Sequence, residues 1–159
     1  YYLHVQLGAN IKENSTDYMN IYLRQGFADP KAFVSLYATR YSEPEPNERP
    51  AIKGICETVA THVTNDASPQ YEFKGDKILL GNVSSSSQSV SQSASWAVFT
   101  QEIYNQIGSQ RFVTAARRAL FARNNTDVIS IFLENTPPEK RRAVENIIRN
   151  RVDGYPLPR

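Results

Sequence analysis

The fold is decided by residues 95–123, which read SWAVFTQEIYNQIGSQRFVTAARRALFAR and hold the only tryptophan of the chain. Large apolar residues recur there at spacings of three and four: Trp96, Phe99, Ile103 and Ile107. This spacing lays them along one face of a helix. Gly108 and Ser109 then interrupt the pattern, and a glycine inside a helix costs about 1 kcal/mol relative to alanine. The sequence therefore predicts a break or kink at Gly108 and two helices instead of one rod.

The second of these helices carries a new apolar stripe, made of Phe112, Ala116, Ala119 and Leu120. Arg111 and Arg118 share an outward stripe, and Arg117 flanks it. Two interpretations fit these cations. They form a solvated face that suits the C-terminal end of the helix dipole, or they bind phosphate oxygens through the planar donor fork of arginine.

Composition predicts an ordered domain, because 40% of the 159 residues are apolar and 21% are charged. The net charge of +2 is unevenly distributed: residues 1–79 carry 8 Lys/Arg against 10 Asp/Glu, whereas residues 80–159 carry 10 against 6. We therefore expect three parts. They are an acidic helical lobe with short strands over 1–83, a serine-rich hinge or loop over 84–95, and a basic helical lobe with an extended C-terminal tail over 96–159.

The first half shows several patterns of secondary structure. Residues 1–8 alternate like a half-buried strand, Ser15 or Thr16 can cap one helix, and Asp29-Pro30 begins another. Residues 42–50 are acidic and proline-rich, which indicates a loop. The best helical periodicity follows, and we expect it at the centre of the core: Ile52, Ile55, Cys56, Val59, Ala60 and Val63. Apolar residues around Lys74-Gly75-Asp76 then predict a small β-hairpin, with Tyr71 and Phe73 before the turn and Ile78 and Leu80 after it.

The second half begins with eight serines between Ser84 and Ser95, a composition typical of flexible linkers. Thr126 can cap a short helix bearing Val128, Ile129, Phe132 and Leu133. Thr136-Pro-Pro-Glu139 has the pattern of a capping box before the last helix. The tail YPLPR is expected to be extended and to lie along a neighbouring subunit. The predicted class is mainly α, a bundle of about five to seven helices with a minor β-hairpin.

Patterns of catalysis are absent from the sequence, so we predict no enzyme, no cofactor and no metal site. His4 and His62 are the only histidines and Cys56 is the only cysteine, too few for a zinc site. The glycine-rich nucleotide loops do not occur. A deep pocket lined by Glu57, His62 or tyrosines would instead favour an enzyme.

The single cysteine excludes an internal disulfide and favours a reducing, intracellular (cytoplasmic) compartment, or a virion for a coat-like subunit. No apolar run reaches the roughly 18 residues that span a bilayer, so we expect no membrane partner.

The leading functional prediction is a non-enzymatic assembly protein, a nucleoprotein or coat-like subunit that forms homo-oligomers and binds RNA or other nucleic acid independently of sequence. The expected phosphate contacts come from the basic residues of the second half: Arg111, Arg117, Arg118, Arg123, Lys140, Arg141, Arg142 and Arg149. The alternative is a helical protein–protein adaptor whose arginines bind an acidic partner. Salt-sensitive binding to nucleic acid distinguishes the two.

Overall fold

A computed structural model describes residues 50–59, 61–62, 72–81, 85–119 and 122–158. These residues are mainly helical, which confirms the predicted class. The helices are α1 (Pro50–Val59), α2 (Ser86–Ala119), α3 (Asn125–Glu134), a short 3-10 helix (Pro138–Lys140) and α4 (Arg141–Arg151). The predicted strand over 1–8, the helices after Ser15 and Asp29, and most of the 42–50 loop lie outside the described residues. The total of five to seven helices therefore stays a prediction.

Gly108 divides α2 into two arms, as the sequence predicts. Its φ of 83° and ψ of 169° are not helical, and a side-chain-bearing residue rarely adopts this region. We call residues 86–107 the N-terminal arm and residues 109–119 the C-terminal arm. The predicted apolar stripe is buried on both sides of the break, since Trp96, Phe99 and Ile103 are inaccessible to solvent and so is Phe112.

One hydrophobic core joins the helices. The Phe132 ring of α3 lies 5.4 Å from the ring of Phe112 and 6.4 Å from the ring of Phe99, measured between centroids. It therefore contacts both arms of α2. Ile52, Ile55 and Val59 of α1 belong to the same core, which confirms that they are buried; the side chain of Cys56 and the residues Ala60 and Val63 lie outside the described part of the chain.

α1 crosses the N-terminal arm at very short range, and Gly54 permits the approach. A Cβ atom built on Gly54 would lie 2.5 Å from the Trp96 Cβ and 2.8 Å from the Ala97 nitrogen. Next to the crossing, the buried hydroxyls of Thr58 and Thr100 are 2.7 Å apart and hydrogen-bonded. Small and polar residues thus line the crossing while the isoleucines pack beside it.

The serine-rich segment is helical, so the loop predicted over residues 84–95 is wrong from Ser86 onward. Ser85 caps the helix, because its Oγ accepts a 3.2 Å hydrogen bond from the Gln88 nitrogen. The serine-rich composition predicted an exposed loop, but serine is small enough to be buried in a helix, as Ser89 and Ser93 are. Whether the chain divides into an acidic and a basic lobe on either side stays a prediction.

Other polar residues of this segment hold a neighbouring stretch of chain. The Gln92 side chain accepts a hydrogen bond from the Leu79 nitrogen at 2.8 Å and donates one to the Lys77 oxygen at 3.0 Å. Ser91 donates to the Asp76 carboxylate, and Ser95 donates to the Asp76 carbonyl at 2.7 Å. The side chains of α2 therefore satisfy backbone groups that a neighbouring strand would otherwise satisfy.

The β-hairpin predicted around Lys74-Gly75-Asp76 is not confirmed, and the described ranges contain no strand. Gly75 has the expected positive φ of 86°. However, Ile78 forms a parallel bridge with Val152, in which its nitrogen donates to the Arg151 oxygen at 2.7 Å. Ile78 is fully buried, so its apolar side chain packs against helices and does not face a second strand.

The last two helices carry the predicted apolar faces but use different caps. Asn124 caps α3 by accepting from the Asp127 nitrogen at 2.9 Å, in the role predicted for Thr126. The predicted capping box does not form, because the Thr136 hydroxyl donates back to the Phe132 oxygen at 2.8 Å. Helical structure begins after Pro137 with no side-chain cap.

The tail packs on its own chain. Tyr155 and Leu157 lie against the core, and the Tyr155 hydroxyl is 2.7 Å from the Ser130 hydroxyl. Contact of the tail with a neighbouring subunit stays a prediction.

Candidate nucleic-acid interface

The predicted phosphate-binding residues fall into two groups. The first group is at the C-terminal arm of α2 and the turn after it, with Arg111, Arg117, Arg118 and Arg123. The second group begins in the 3-10 helix and continues along α4, with Lys140, Arg141, Arg142 and Arg149. Seven of the eight side chains are exposed, and that of Arg117 lies outside the described part of the chain.

α3 has two faces, and the polar one meets the first group. Its apolar residues are buried in the core, whereas a second stripe at spacings of three and four faces outward: Asp127, Ser130, Ile131 and Glu134. Together with Arg118, Ala122 and Arg123, this stripe lines an open groove of about 490 Å³. The structure thus brings together two of the predicted arginines. It also adds polar residues of α3 that the sequence analysis missed, although their helical spacing was a signal of a common face.

The groove is balanced in charge. Arg118 donates from Nη2 to the Glu134 Oε2 at 3.0 Å, across the gap between α2 and α3. The two side chains are 52% and 59% exposed, so the pair contributes roughly 0–1 kcal/mol to stability. Arg123 and Asp127 form no ion pair with the described residues. This groove therefore offers hydrogen-bond donors and acceptors side by side, and it is not a purely basic patch.

Three of the four residues of the second group lie where the helix dipole does not favour cations. Lys140, Arg141 and Arg142 fall in the first two turns of helical structure after Pro137, near the positive end of the helix dipole. Arg141 pairs weakly with Glu145 at 3.4 Å. Lys140 and Arg142 form neither an ion pair nor a side-chain hydrogen bond with the described residues. No carboxylate among the described residues lies within salt-bridge distance of these two cations, although Glu139 and Glu145 are each three residues from Arg142 along the chain.

Arg149 is placed differently, at the favourable C-terminal end of α4. It donates to the Asn146 Oδ1 at 3.1 Å and to the Pro158 carbonyl at 3.4 Å. Its cation therefore helps to hold the tail, and of the second group it has the most contacts within its own chain.

Arg151 was not among the predicted site residues, and the structure assigns it to the fold. It donates to both oxygens of the Glu102 carboxylate, at 2.6 and 3.2 Å, and lies 5.4 Å from the centre of the Phe73 ring. The hydrogen bond with Glu102 raises the pKa of Arg151 above its ordinary value, against the opposing effect of burial. Arg151 thus joins α4 to the N-terminal arm of α2.

A second cavity, of about 320 Å³, opens beside the crossing of α1 and α2. Glu57 lines it together with threonines and apolar side chains, including Thr58, Phe73 and Val98. His62 is not part of this lining, because its ring stacks on Tyr104 at 4.0 Å and contacts the Gln101 side chain. The described lining therefore contains one carboxylate and no second acid–base group beside it.

Within the described ranges, no three His, Cys, Asp or Glu side chains converge as metal ligands would. No helix among the described residues is long and apolar enough to cross a membrane. Comparison with protein-family models, curated proteins and solved structures found no match.

Proposed function

We propose that this protein is a non-enzymatic assembly subunit, of a nucleoprotein or coat-like kind, whose basic C-terminal helices bind the RNA or DNA backbone independently of sequence. The observation that carries the proposal is the exposed pair Lys140 and Arg142, which has no ionic partner among the described residues. An anion bound from outside would neutralise both charges.

Helix electrostatics supports this interpretation. Cations stabilise a helix at its C-terminal end, by about 0.3–1 kcal/mol each, and have the opposite effect near its N-terminal end. The helix dipole therefore does not favour Lys140 and Arg142 at their positions, whereas it favours Arg149 and Arg151 in the last turn of α4. A function outside the fold accounts for cations that the fold does not need.

The chemistry of the cations points to phosphate as the anion. Guanidinium presents a fork of N–H donors that matches two phosphate oxygens, and phosphate contacts carry no base information. Arg111, Arg118 and Arg123 extend the set of exposed cations on the other group of helices. Binding is then driven by the release of counterions, so it depends steeply on salt and little on sequence.

The experiment is a titration of fluorescein-labelled, single-stranded RNA of mixed sequence, followed by anisotropy at several salt concentrations between 50 and 200 mM. We expect the affinity to fall steeply over this range. Lys140→Ala with Arg142→Ala should lower the slope of log K against log salt by about 0.7 for each lost phosphate contact.

The matched control replaces Lys74 and Lys77 with alanine, because both are exposed lysines outside the proposed interface. It removes the same charge and should leave the slope unchanged. Affinity that does not respond to salt, or an equal loss in the control, would contradict the proposal.

Homo-oligomer formation is part of the same proposal and has its own measurement. Multi-angle light scattering, with absorbance at 260 and 280 nm on the same peak, should give a large particle with excess 260 nm absorbance if nucleic acid co-purifies. A monomer with a protein-like ratio would remove assembly from the proposal. The single cysteine fits a reducing cytoplasmic compartment or a virion.

A protein–protein adaptor is the second candidate, favoured by the carboxylate that Arg118 already binds. An acidic partner would offer this guanidinium the same chemistry as Glu134. Charge reversal at Arg117 and Arg118 tests it: loss of a protein partner in the absence of nucleic acid would support the adaptor, and the RNA titration above would then show no binding.

A further inference from the structure

We infer that the groove between α2 and α3 is a ribose–phosphate site that makes the protein prefer RNA to DNA. The inference rests on the proposed nucleic-acid binding and assigns the selectivity to two carboxylates, those of Asp127 and Glu134. Both line the groove beside Arg118 and Arg123.

The two carboxylates indicate what kind of ligand the groove binds. They would lower its affinity for a ligand that offers phosphate alone. Like charges repel the ligand, so a general anion site would be better without them. Glu134 is also the last residue of α3, the end at which the helix dipole disfavours an anion. The stability of the helix therefore does not explain the position of Glu134. Its exposed ion pair with Arg118 also contributes little to the stability of the protein.

A ligand with both an anion and hydroxyl donors satisfies all four charged side chains at once. Arg118 and Arg123 would hold a phosphate, and Asp127 and Glu134 would accept hydrogen bonds from the 2′-hydroxyls of the two riboses on either side of it. Arg118 uses only Nη2 for Glu134, so Nη1 and Nε stay available for phosphate. Likewise Glu134 uses Oε2 for Arg118 and keeps Oε1 as an acceptor.

The backbone of RNA has this combination at every residue, whereas DNA lacks the 2′-hydroxyl. The remaining lining suits a nucleotide as well: Ala122 and Ile131 are half-buried and apolar, and the Ser130 hydroxyl is held by Tyr155. At about 490 Å³, the groove is within the range of roughly 300–1,000 Å³ typical of small-molecule sites. Two ribose units joined by one phosphate, within a longer RNA strand, are therefore the occupant that fits the chemistry of the groove.

The test compares the affinity for RNA and DNA strands of equal length and base content, with deoxyuridine in place of thymidine, at one salt concentration. A hydrogen bond to a charged group contributes roughly tenfold or more in affinity. Because the groove is open to water, we expect wild type to bind RNA about tenfold more tightly than DNA. Asp127→Ala and Glu134→Ala should each reduce that ratio several-fold, mainly by raising the affinity for DNA.

Two controls separate sugar recognition from charge. Glu72→Ala removes an exposed carboxylate outside the groove and should leave the RNA-to-DNA ratio unchanged. Arg123→Ala should weaken RNA and DNA binding by the same factor, since both have phosphates. Thermal unfolding followed by circular dichroism checks each variant. It matters most for Asp127→Ala, because Asp127 lies in the first turn of α3, where the dipole favours an anion.

Each outcome decides something different. Equal affinity of wild type for RNA and DNA would overturn this inference and leave the proposed function standing. A preference for RNA that survives both carboxylate variants would show that the groove is not its source. Failure to bind either strand would overturn both proposals. Only a preference that is lost at Asp127 and Glu134 and kept at Glu72 supports the site.

Discussion

The two arms of α2 differ in where their polar side chains lie: many are buried in the N-terminal arm, and those of two arginines are exposed in the C-terminal arm. In the N-terminal arm, Ser89, Gln92, Ser93 and Ser95 are buried, and Gln92 and Ser95 are hydrogen-bonded to residues 76–79. In the C-terminal arm, Arg111 and Arg118 are exposed, and α3 adds further charge beside Arg118. Polar residues of the N-terminal arm are therefore part of the fold, whereas these two arginines of the C-terminal arm present their charge to solvent. The difference shows that polarity alone does not predict exposure, because the size and charge of the polar group decide whether it can be buried.

Changes at the N-terminal arm should destabilise the protein more than changes at the C-terminal arm. The largest effect is expected where α1 crosses the N-terminal arm, in the variant Gly54→Ala. The new methyl group would lie 2.5 Å from the Trp96 Cβ, and the other near atoms are backbone that cannot turn away. Overpacking of this kind costs about 1–3 kcal/mol and occasionally more. We expect a loss at the upper end of that range in chemical denaturation.

The matched control for this change is Gly81→Ala. Nothing lies within 4 Å of the new Cβ there, and the φ is not positive. Its free energy of unfolding should stay within about 0.5 kcal/mol of wild type. Similar losses at Gly54 and Gly81 would mean that α1 does not cross α2 at this distance.

Gly108→Ala tests the break between the arms and should have the next largest effect. No atom lies within 4 Å of the added Cβ, so its whole effect comes from the backbone at φ 83°. Strain of this type costs about 1–3 kcal/mol. Urea unfolding of Gly108→Ala measures the cost of this strain. Ser109→Ala, a change at the exposed neighbour, is the control and should be as stable as wild type or slightly more stable. A Gly108→Ala variant that is more stable than wild type, by the roughly 1 kcal/mol that alanine gains over glycine inside a helix, would indicate that the two arms form one straight helix.

The same contrast explains how far the sequence alone could predict this structure. The apolar spacing of Trp96, Phe99 and Ile103 predicted their burial because it depends only on helix periodicity. The kink was predictable for a similar local reason. The helical state of Ser89 and Gln92 could not be predicted, because it depends on hydrogen bonds and burial that segments distant in sequence supply.

The candidate site was predicted only in part, for the same physical reason. A run of arginines indicates exposed cations, and seven of the eight are exposed. Which cations are neutralised by the fold depends on partners such as Glu134, 16 residues from Arg118, and Glu102, 49 residues from Arg151. Periodicity within one helix contains no information on such distant pairs, so the mixed charge of the groove appeared only in the folded chain.

Gln92→Ala tests whether the serine-rich arm holds its neighbour through hydrogen bonds. The change removes one acceptor and one donor from the backbone at Leu79 and Lys77. Unsatisfied groups of this kind cost about 1–3 kcal/mol when buried, and partial access of water should keep the loss at about 1–2 kcal/mol. Gln110→Ala is the exposed control in the C-terminal arm and should be close to neutral. Equal effects of the two would remove the distinction between the arms.

The smallest effect on stability should come from Arg118→Ala, which is best measured beside Arg151→Ala. Arg151 makes two hydrogen bonds with Glu102 and is 32% exposed, so Arg151→Ala should cost about 1–2 kcal/mol. Arg118→Ala should cost at most about 0.5 kcal/mol, because its pair with Glu134 is more than half exposed. Binding should show the reverse order: Arg118→Ala weakens RNA binding, whereas Arg151→Ala leaves it unchanged at a temperature where the variant is folded. If both variants lost stability and binding in equal proportion, the exposed arginines would be part of the fold and the proposed interface would lose its basis.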